Sequence, residues 1–426
     1  MSDIGKQPFS IILDESTDVT TDKYMAYCVR YFNEDLDDIV TDFLGLQVVY
    51  RATAKVLHTA FKEFLSCMGL SLGNLIGLGT DGAPALCSVV NKKNEDNSLF
   101  TLLKAEIPNL QLLKCVCHLL HKCSEKAMEE LPSSIEFLLR ETRNWFAHST
   151  VRQLEYFELY SNVCEKPHKL TQLSDTRWLV LEKAVQNILT QWEPLKQHFH
   201  QLVNSPPPKK PEKCYTARTL SSMFNDSVHY LYLKFLSPIL KEISNLNVKF
   251  QAERADAVKL YSELRTLLLS LARQIFKPSF LKNNIQNTGS TGSLSALHEE
   301  DIRLVNYAMD HANREFGSSL LKLEDIDFGT EFQSAYEVLQ SGTESKMSNA
   351  DLLHVKQKCL NFLKRLITEI IERLPNNVQV ITKLNCFNPY VSLDKGSSRP
   401  KASDLPWDLA SPNCDREAIE MQWQKL

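Results

Sequence analysis

Within the first fifty residues three strand-like runs follow one another, and after Tyr50 the hydrophobic period changes from that of a strand to that of a helix. Phe9–Leu13 (FSIIL) is a short, isoleucine-rich apolar run stopped by Asp14, the pattern of a buried strand. Met25–Phe32 (MAYCVRYF) mixes aromatic and β-branched residues, and Ile39–Tyr50 reads as a third strand after the polar turn Asn33–Asp38. Val56, Ala60, Phe61, Phe64, Leu65 and Met68 then share one helical stripe, closed by Gly69 where a left-handed cap commonly ends a helix. Leu75–Leu78 is a fourth strand, running into Gly79-Thr80-Asp81-Gly82-Ala83-Pro84. Pro84 opens the next helix, since its missing N–H costs nothing in a first turn. A fifth apolar stretch, Leu110–Val116, leads into Cys117-His118 and a helix from Leu119 to Leu131. The order βββαβαβ predicts an α/β domain of RNase H-like topology with a mixed sheet.

From Cys123 to about Leu374 the period is helical almost throughout, so an all-α region follows the α/β part. Polar breaks fall at Asn204–Lys213 (NSPPPKKPEK) and Lys282–Ser295 (KNNIQNTGSTGSLS). A helix over Val355–Leu374 is stopped by Pro375, and beyond Phe387 the chain turns Pro- and Ser-rich and irregular, with Trp407 as its candidate anchor. The expected organisation is therefore a sheet domain over 1–124, a helical region over 125–387 and a mostly irregular tail over 388–426.

A formal net charge of −4 excludes a polycation that coats nucleic acid along its whole length. Acidic residues crowd Glu34, Asp35, Asp37 and Asp38, while basic ones gather between Arg140 and Arg218, where any DNA contact is expected. Ordinary solvated faces account for the same asymmetry. No apolar run approaches the roughly 18–20 residues that span a bilayer, so no membrane partner is expected. The eleven cysteines are odd in number and without framework spacing, and read as reduced thiols of an intracellular protein, in nucleus or cytoplasm. Neither a phosphate-binding glycine loop nor a serine-hydrolase elbow is present.

Five segments in order carry a resemblance: FSIILDESTD (Phe9–Asp18), VRYFNEDLDDIVTDFLGL (Val29–Leu46), GLGTDGAPAL (Gly77–Leu86), LLKCVCHLLHKCSEKAMEELP (Leu112–Pro132) and LSDTRWLVLEKAVQNILTQWEPLKQHF (Leu173–Phe199). Together they resemble the RNase H-like core of hAT-superfamily (hobo–Activator) DNA transposases over about the first 200 residues. The remainder, to about Asn388, is similar only loosely to that family's helical insertion. The resemblance implies a site in which carboxylates hold two Mg²⁺ ions about 4 Å apart. Asp14 matches the first catalytic aspartate and Asp81 the second, Cys115 and His118 match a Cys-x-x-His motif, and Arg177 and Trp178 match an Arg-Trp motif that would face DNA.

Each residue also has a plainer reading. Asp14 and Asp81 suit turns, Cys115 and His118 suit a packed core, and the stripe Trp178, Leu181, Val185, Ile188, Leu189, Trp192 suits helix packing. The cluster Cys115, Cys117, His118, His121, Cys123 has zinc-type ligands but no second pair at finger spacing, so zinc is not expected. Strand alternation would put Cys115 and Cys117 on one face, with His121 beyond the corner.

The family pattern also breaks. Its third carboxylate is a glutamate in a downstream Ser-rich motif, within a segment that supports dimerisation, and neither is found. Glu369, Glu372, Glu417 and Glu420 lack the flanking residues, and Glu369 and Glu372 are expected on the solvent face of an amphipathic helix. Only Met1–Pro8 precedes the first strand, where family members carry a zinc-binding DNA-recognition module. The expectation is a transposon-derived nuclear protein without independent catalysis, binding at most one Mg²⁺ weakly and acting through nucleic acid or an unidentified protein partner. The alternatives are an active Mg²⁺-dependent transposase or nuclease and a domesticated transcription-regulatory interaction module.

Overall fold

A computed structural model describes residues 4, 7–17, 23–51, 53–87, 98–147, 149–161, 179–204, 213–251, 257–278, 320–341, 348–373, 383–387, 392–393, 400–407, 409–410 and 414–425. Two compact units divide the chain. The first is chiefly Met1–Leu119 with Leu374–Leu426, and the second is Leu120–Ser290 with Glu300–Arg373.

The first unit is built on a five-stranded mixed sheet: β1 (Phe9–Thr17), β2 (Lys23–Asn33), β3 (Asp38–Val48), β4 (Leu75–Thr80) and β5 (Gln111–Lys114). Their order across the sheet is β3-β2-β1-β4-β5. β1 runs antiparallel to β2 and parallel to β4, as β4 does to β5. The parallel pairing of β1 with β4 is the one that an RNase H-like topology implies. Period-2 alternation puts Phe9, Ile11 and Leu13 of β1 and Met25, Tyr27 and Val29 of β2 on one face, all at most 2% exposed. That face packs on helix α1 (Ala54–Cys67) through Leu57, Phe61, Phe64 and Leu65, and on α3 (Leu99–Glu106) through Leu99 and Leu103. Between β4 and α3 lies the single turn α2 (Pro84–Cys87), opened by Pro84 as its chemistry predicts. Tyr27 stacks on Phe64 with ring centroids 3.9 Å apart.

The opposite face runs in rows set by the register. Leu113, Gly79, Ile12, Cys28 and Phe43 form one row, in which Ile12, Phe43 and Leu113 are exposed. Gly77 lies opposite Ser10, where a Cβ would sit 2.6 Å from the serine Oγ and 3.2 Å from its Cβ, so a larger residue would force the serine side chain to move.

Past Lys114 the described chain is helical, as expected. α4 (Val116–Met128) leads to α5 (Ser134–Ala147), α6 (Thr150–Ser161), α7 (Leu179–Thr190), α8 (Trp192–Asn204), α9 (Tyr215–Asn225), α10 (Ser227–Phe250), α11 (Ala257–Ile275), α12 (Thr330–Ser341) and α13 (Asn349–Arg373). Among the described residues the single β feature here is an isolated bridge between Phe276 and Leu320. Phe235 on α10 is fully buried and meets the rings of Phe328, Phe332 and Phe362. A second aromatic group joins Trp145 and Phe146 of α5, Tyr156 of α6, His198 and Phe199 of α8 and Phe224 of α9. Arg152 lies over the Trp145 ring at 3.6 Å, and Arg140 pairs with Glu136 one turn away.

Three expectations are corrected. Asp14 does not end its strand: β1 continues to Thr17 because antiparallel β2 goes on pairing with it after β4 has stopped at Thr80. Cys117 is not on a strand with Cys115. β5 ends at Lys114 and α4 begins at Val116, which puts Cys117 and His118 in the first helical turn. Glu369 is not on a solvent face but 3% exposed, held between Arg365 and Arg373 at 2.6 Å from each. α13 is buried round most of its circumference near that end, with Leu366, Ile367, Ile370 and Ile371 all in the core, so a stripe argument fails there. Beyond Phe387, helix α14 (Arg416–Lys425) seats Trp423 in a small cluster with Cys386 and Leu405. Trp407 packs against that cluster and donates its ring N–H to the Ala402 carbonyl.

Candidate functional site

The parallel register decides which polar side chains meet. Ile12 pairs with Gly79, so two residues further on Asp14 and Asp81 fall on the same row and the same face. Thr80 pairs with Lys114, and the Cys115 N–H continues that ladder to the Thr80 carbonyl at 2.7 Å, which sets Cys115 on the other side of Asp81. The row thus reads Cys115, Asp81, Asp14, Ala26.

The loop after β4 fixes Asp81. One of its carboxylate oxygens accepts the Ala83 N–H at 2.9 Å, and the Thr80 hydroxyl accepts the Gly82 N–H at 3.2 Å. Gly82 turns the chain at φ +94°, a conformation that side chains rarely adopt. The turn reading of Asp81 is therefore correct as local chemistry, and it leaves the second oxygen for other work.

Asp14 reports the apposition electrostatically. Crowding by neighbouring atoms, and next the charge of Asp81, hold its carboxyl above the ordinary value. His118 and the Glu15 N–H pull the other way without prevailing. Cys28, on the neighbouring row of β2, has its thiol pushed up by burial and then by the same Asp14 charge. At the start of α4 the direction reverses. The Cys115 sulfur accepts hydrogen bonds from the Cys117 thiol and from the N–H groups of His118 and Cys117, which together bring its pKa down to about 6 against burial and the Asp14 charge.

The structure therefore brings together Asp14, Asp81, Cys115 and His118. Arg177 and Trp178, and Ser174, Asp175 and Thr176 before them, lie outside the described residues. The cysteine pair was visible in the sequence, but its role as an acceptor and donor at a helix start was not, because that depends on where β5 stops. Among the described residues no three His, Cys, Asp or Glu side chains are grouped so as to hold a metal ion. The two aspartates are hard-oxygen donors of the kind Mg²⁺ prefers, and two carboxylates alone do not supply ligands for two ions.

Two like charges held together and partly desolvated oppose folding. Asp14→Asn is therefore expected to raise stability by a few tenths of a kcal/mol at pH 7 in the presence of chelator, after solvent screening. Adding Mg²⁺ should then raise the melting temperature of the parent more than that of the variant. A variant that is less stable than the parent with chelator present would contradict the apposition.

Residues 1–91 match the family model described as DUF4371: ZMYM1/FAM200, RNase-like domain. That stretch contains β1 to β4 with Asp14 and Asp81 and ends before Cys115 and His118. No curated protein matches the chain. Residues 1–91 are thus similar to an RNase-like domain, in keeping with the mixed sheet found there.

Proposed function

We propose that this is a transposon-derived, hAT transposase-like protein that retains the first two carboxylates of a nuclease centre and acts by binding nucleic acid or protein, not by cleaving DNA. The observation that supports this reading is the row Asp81–Asp14, which sets side by side the two carboxylates that the motif set provides. In-line cleavage of a phosphodiester needs one metal at the nucleophile and one at the departing oxygen, each with fixed ligands. Two aspartates supply ligands shared by the pair, and the ligand that completes the second position is missing from the motif set. When bound, Mg²⁺ would neutralise the carboxylate pair. The residues of this chain that act on it are Asp14 and Asp81, with His118 as a further positive neighbour of Asp14 when protonated. DNA contact is assigned to the basic residues between Arg140 and Arg218, and the site of action to the nucleus.

A second reading, an active Mg²⁺-dependent nuclease, is favoured by the same crowding of two acids, which is the electrostatics of a cation site. One assay separates them. The purified chain, incubated with hAT-type transposon ends and Mg²⁺ or Mn²⁺, is expected to give no metal-dependent nicks or hairpins. Mn²⁺ is the harsher test because it tolerates imperfect coordination better. DNA binding should weaken steeply with salt, as expected of counter-ion release by lysines and arginines. Specific nicking that disappears in Asp14→Ala and Asp81→Ala variants would overturn the non-catalytic reading and send the search for a third ligand to Glu372, Glu417 and Glu420.

A further inference from the structure

We propose that Ser134, His229 and Asp226 of the helical unit form a second reactive site, a serine nucleophile with its base and orienting acid, that hydrolyses short carboxylic esters. The Ser134 hydroxyl lies 3.1 Å from His229 Nε2, and His229 Nδ1 lies 3.2 Å from Asp226 Oδ2. A group of this kind is recognised by geometry and roles, not by sequence position, and 95 residues separate this serine from its base. Asp226 caps α10: its Oδ1 accepts the Val228 N–H at 3.0 Å, which steadies the carboxylate and leaves Oδ2 for the ring. His229 Nδ1 is buried, and among the described residues no acceptor other than this carboxylate approaches it. The neutral ring therefore carries its proton on Nδ1, towards Asp226, and Nε2 is left to accept from the Ser134 O–H. The contact between Nδ1 and Oδ2 is off the ideal hydrogen-bond line, as catalytic contacts often are before substrate tightens them.

Ser134 opens α5, and among the described residues no backbone acceptor meets the N–H of Ser134 or of Glu136. Those first-turn donors are on hand for the negative charge that develops on an acyl oxygen. Ser134 is partly exposed, and the His229 and Asp226 side chains are 12% and 48% exposed, so an ester reaches the serine while the base stays mostly out of water. The steps balance. Ser134 Oγ attacks the ester carbonyl carbon as its proton passes to His229 Nε2, and the bond to the leaving oxygen then breaks. That oxygen takes the proton from Nε2 and departs as the alcohol. Water, giving a proton to Nε2, attacks the acylated serine, and the acid leaves as Ser134 Oγ recovers its proton. Overall one ester and one water give one carboxylic acid and one alcohol.

The test uses the full chain and two probes. A fluorophosphonate, which a nucleophilic serine attacks at phosphorus with loss of fluoride, is mapped by peptide mass, and hydrolysis of para-nitrophenyl acetate is followed by its absorbance. A single adduct on Ser134 and turnover of the ester are expected. Ser134→Ala should abolish both, and His229→Gln and Asp226→Asn should each lower both by at least about tenfold. Asparagine caps a helix as well as aspartate does, so in Asp226→Asn the start of α10 is kept and the loss reports chemistry, not folding. The unaltered chain unfolded in urea before the probe is added should take no label, which decides the question even where a variant fails to fold. No adduct at Ser134, no turnover of the ester, equal labelling of the unfolded chain, or labelling unchanged in His229→Gln would overturn the proposal.

Discussion

Phe235→Ala is expected to destabilise the helical unit by about 3–5 kcal/mol, the range for truncating a large buried ring in a packed core. Phe235 has no exposed surface, and three rings, those of Phe328, Phe332 and Phe362, meet it with centroids 5.4–6.3 Å away. The phenylalanines come from α10, the segment before α12, α12 itself and α13, so the cavity would lie where several elements converge. These elements cannot collapse onto it without moving one another, which is why the upper half of the range is expected. Denaturant unfolding followed by helical signal measures it. Tyr215→Ala at the start of α9, where the ring is 72% exposed, serves as the control and should change stability by less than about 0.5 kcal/mol. A loss below about 1.5 kcal/mol at Phe235 would show that the aromatic cluster repacks.

A second large effect is expected from acid. His198 is 4% exposed among Phe146, Tyr156 and Phe199, and burial, with a smaller contribution from Arg152, lowers its pKa to about 4 from 6.5. Its Nε2 has no hydrogen-bond partner, so nothing inside the protein stabilises the protonated ring. With the folded pKa below the unfolded one, the unfolded chain binds more protons between pH 6.5 and 4. Stability contributed by the neutral ring is thus present above pH 6.5 and is lost as pH falls towards 4. The loss between pH 7 and pH 4.5 is about 2–3 kcal/mol for this group, the free-energy equivalent of the pKa difference over that window. Carboxylates titrate in the same range, so the measured quantity is the difference between the parent and His198→Leu. The variant should keep about 2–3 kcal/mol more of its pH 7 stability at pH 4.5 than the parent does. Equal acid sensitivity of the two proteins would refute the assignment.

How much of the candidate site was legible in the sequence differs residue by residue. Asp14 and Asp81 stood out through the ordered set of motifs that resembles a transposase core, since each taken alone suits an ordinary turn. The side of the sheet was also legible, since a strand sends alternate residues to opposite faces and Leu13 is plainly a core residue. The relation of Cys115 to Cys117 was not, because a hydrophobic pattern does not mark the residue at which a strand stops. It is the last ladder bond, from the Cys115 N–H to the Thr80 carbonyl, that ends β5 and starts α4.

The sequence by itself determined the order of elements. The change from period 2 to period 3.6 after Tyr50, the glycine at position 69 and the proline at position 84 act over a few neighbouring residues, and local preferences of that kind survive in any tertiary setting. Only the tertiary structure decided which faces are covered. Glu369 shows the reason. Its neighbours along α13 suggest an amphipathic helix with an acidic outer side, yet other helices pack round that end of α13 and close over the carboxylate. The helix tolerates this because Arg365 and Arg373, one turn before and one turn after, keep their own surfaces partly in solvent while reaching the buried acid. The sequence contained both arginines at the right spacing. What it could not contain is the number of helices that would pack against them, because burial is a property of the assembled elements and not of any one of them.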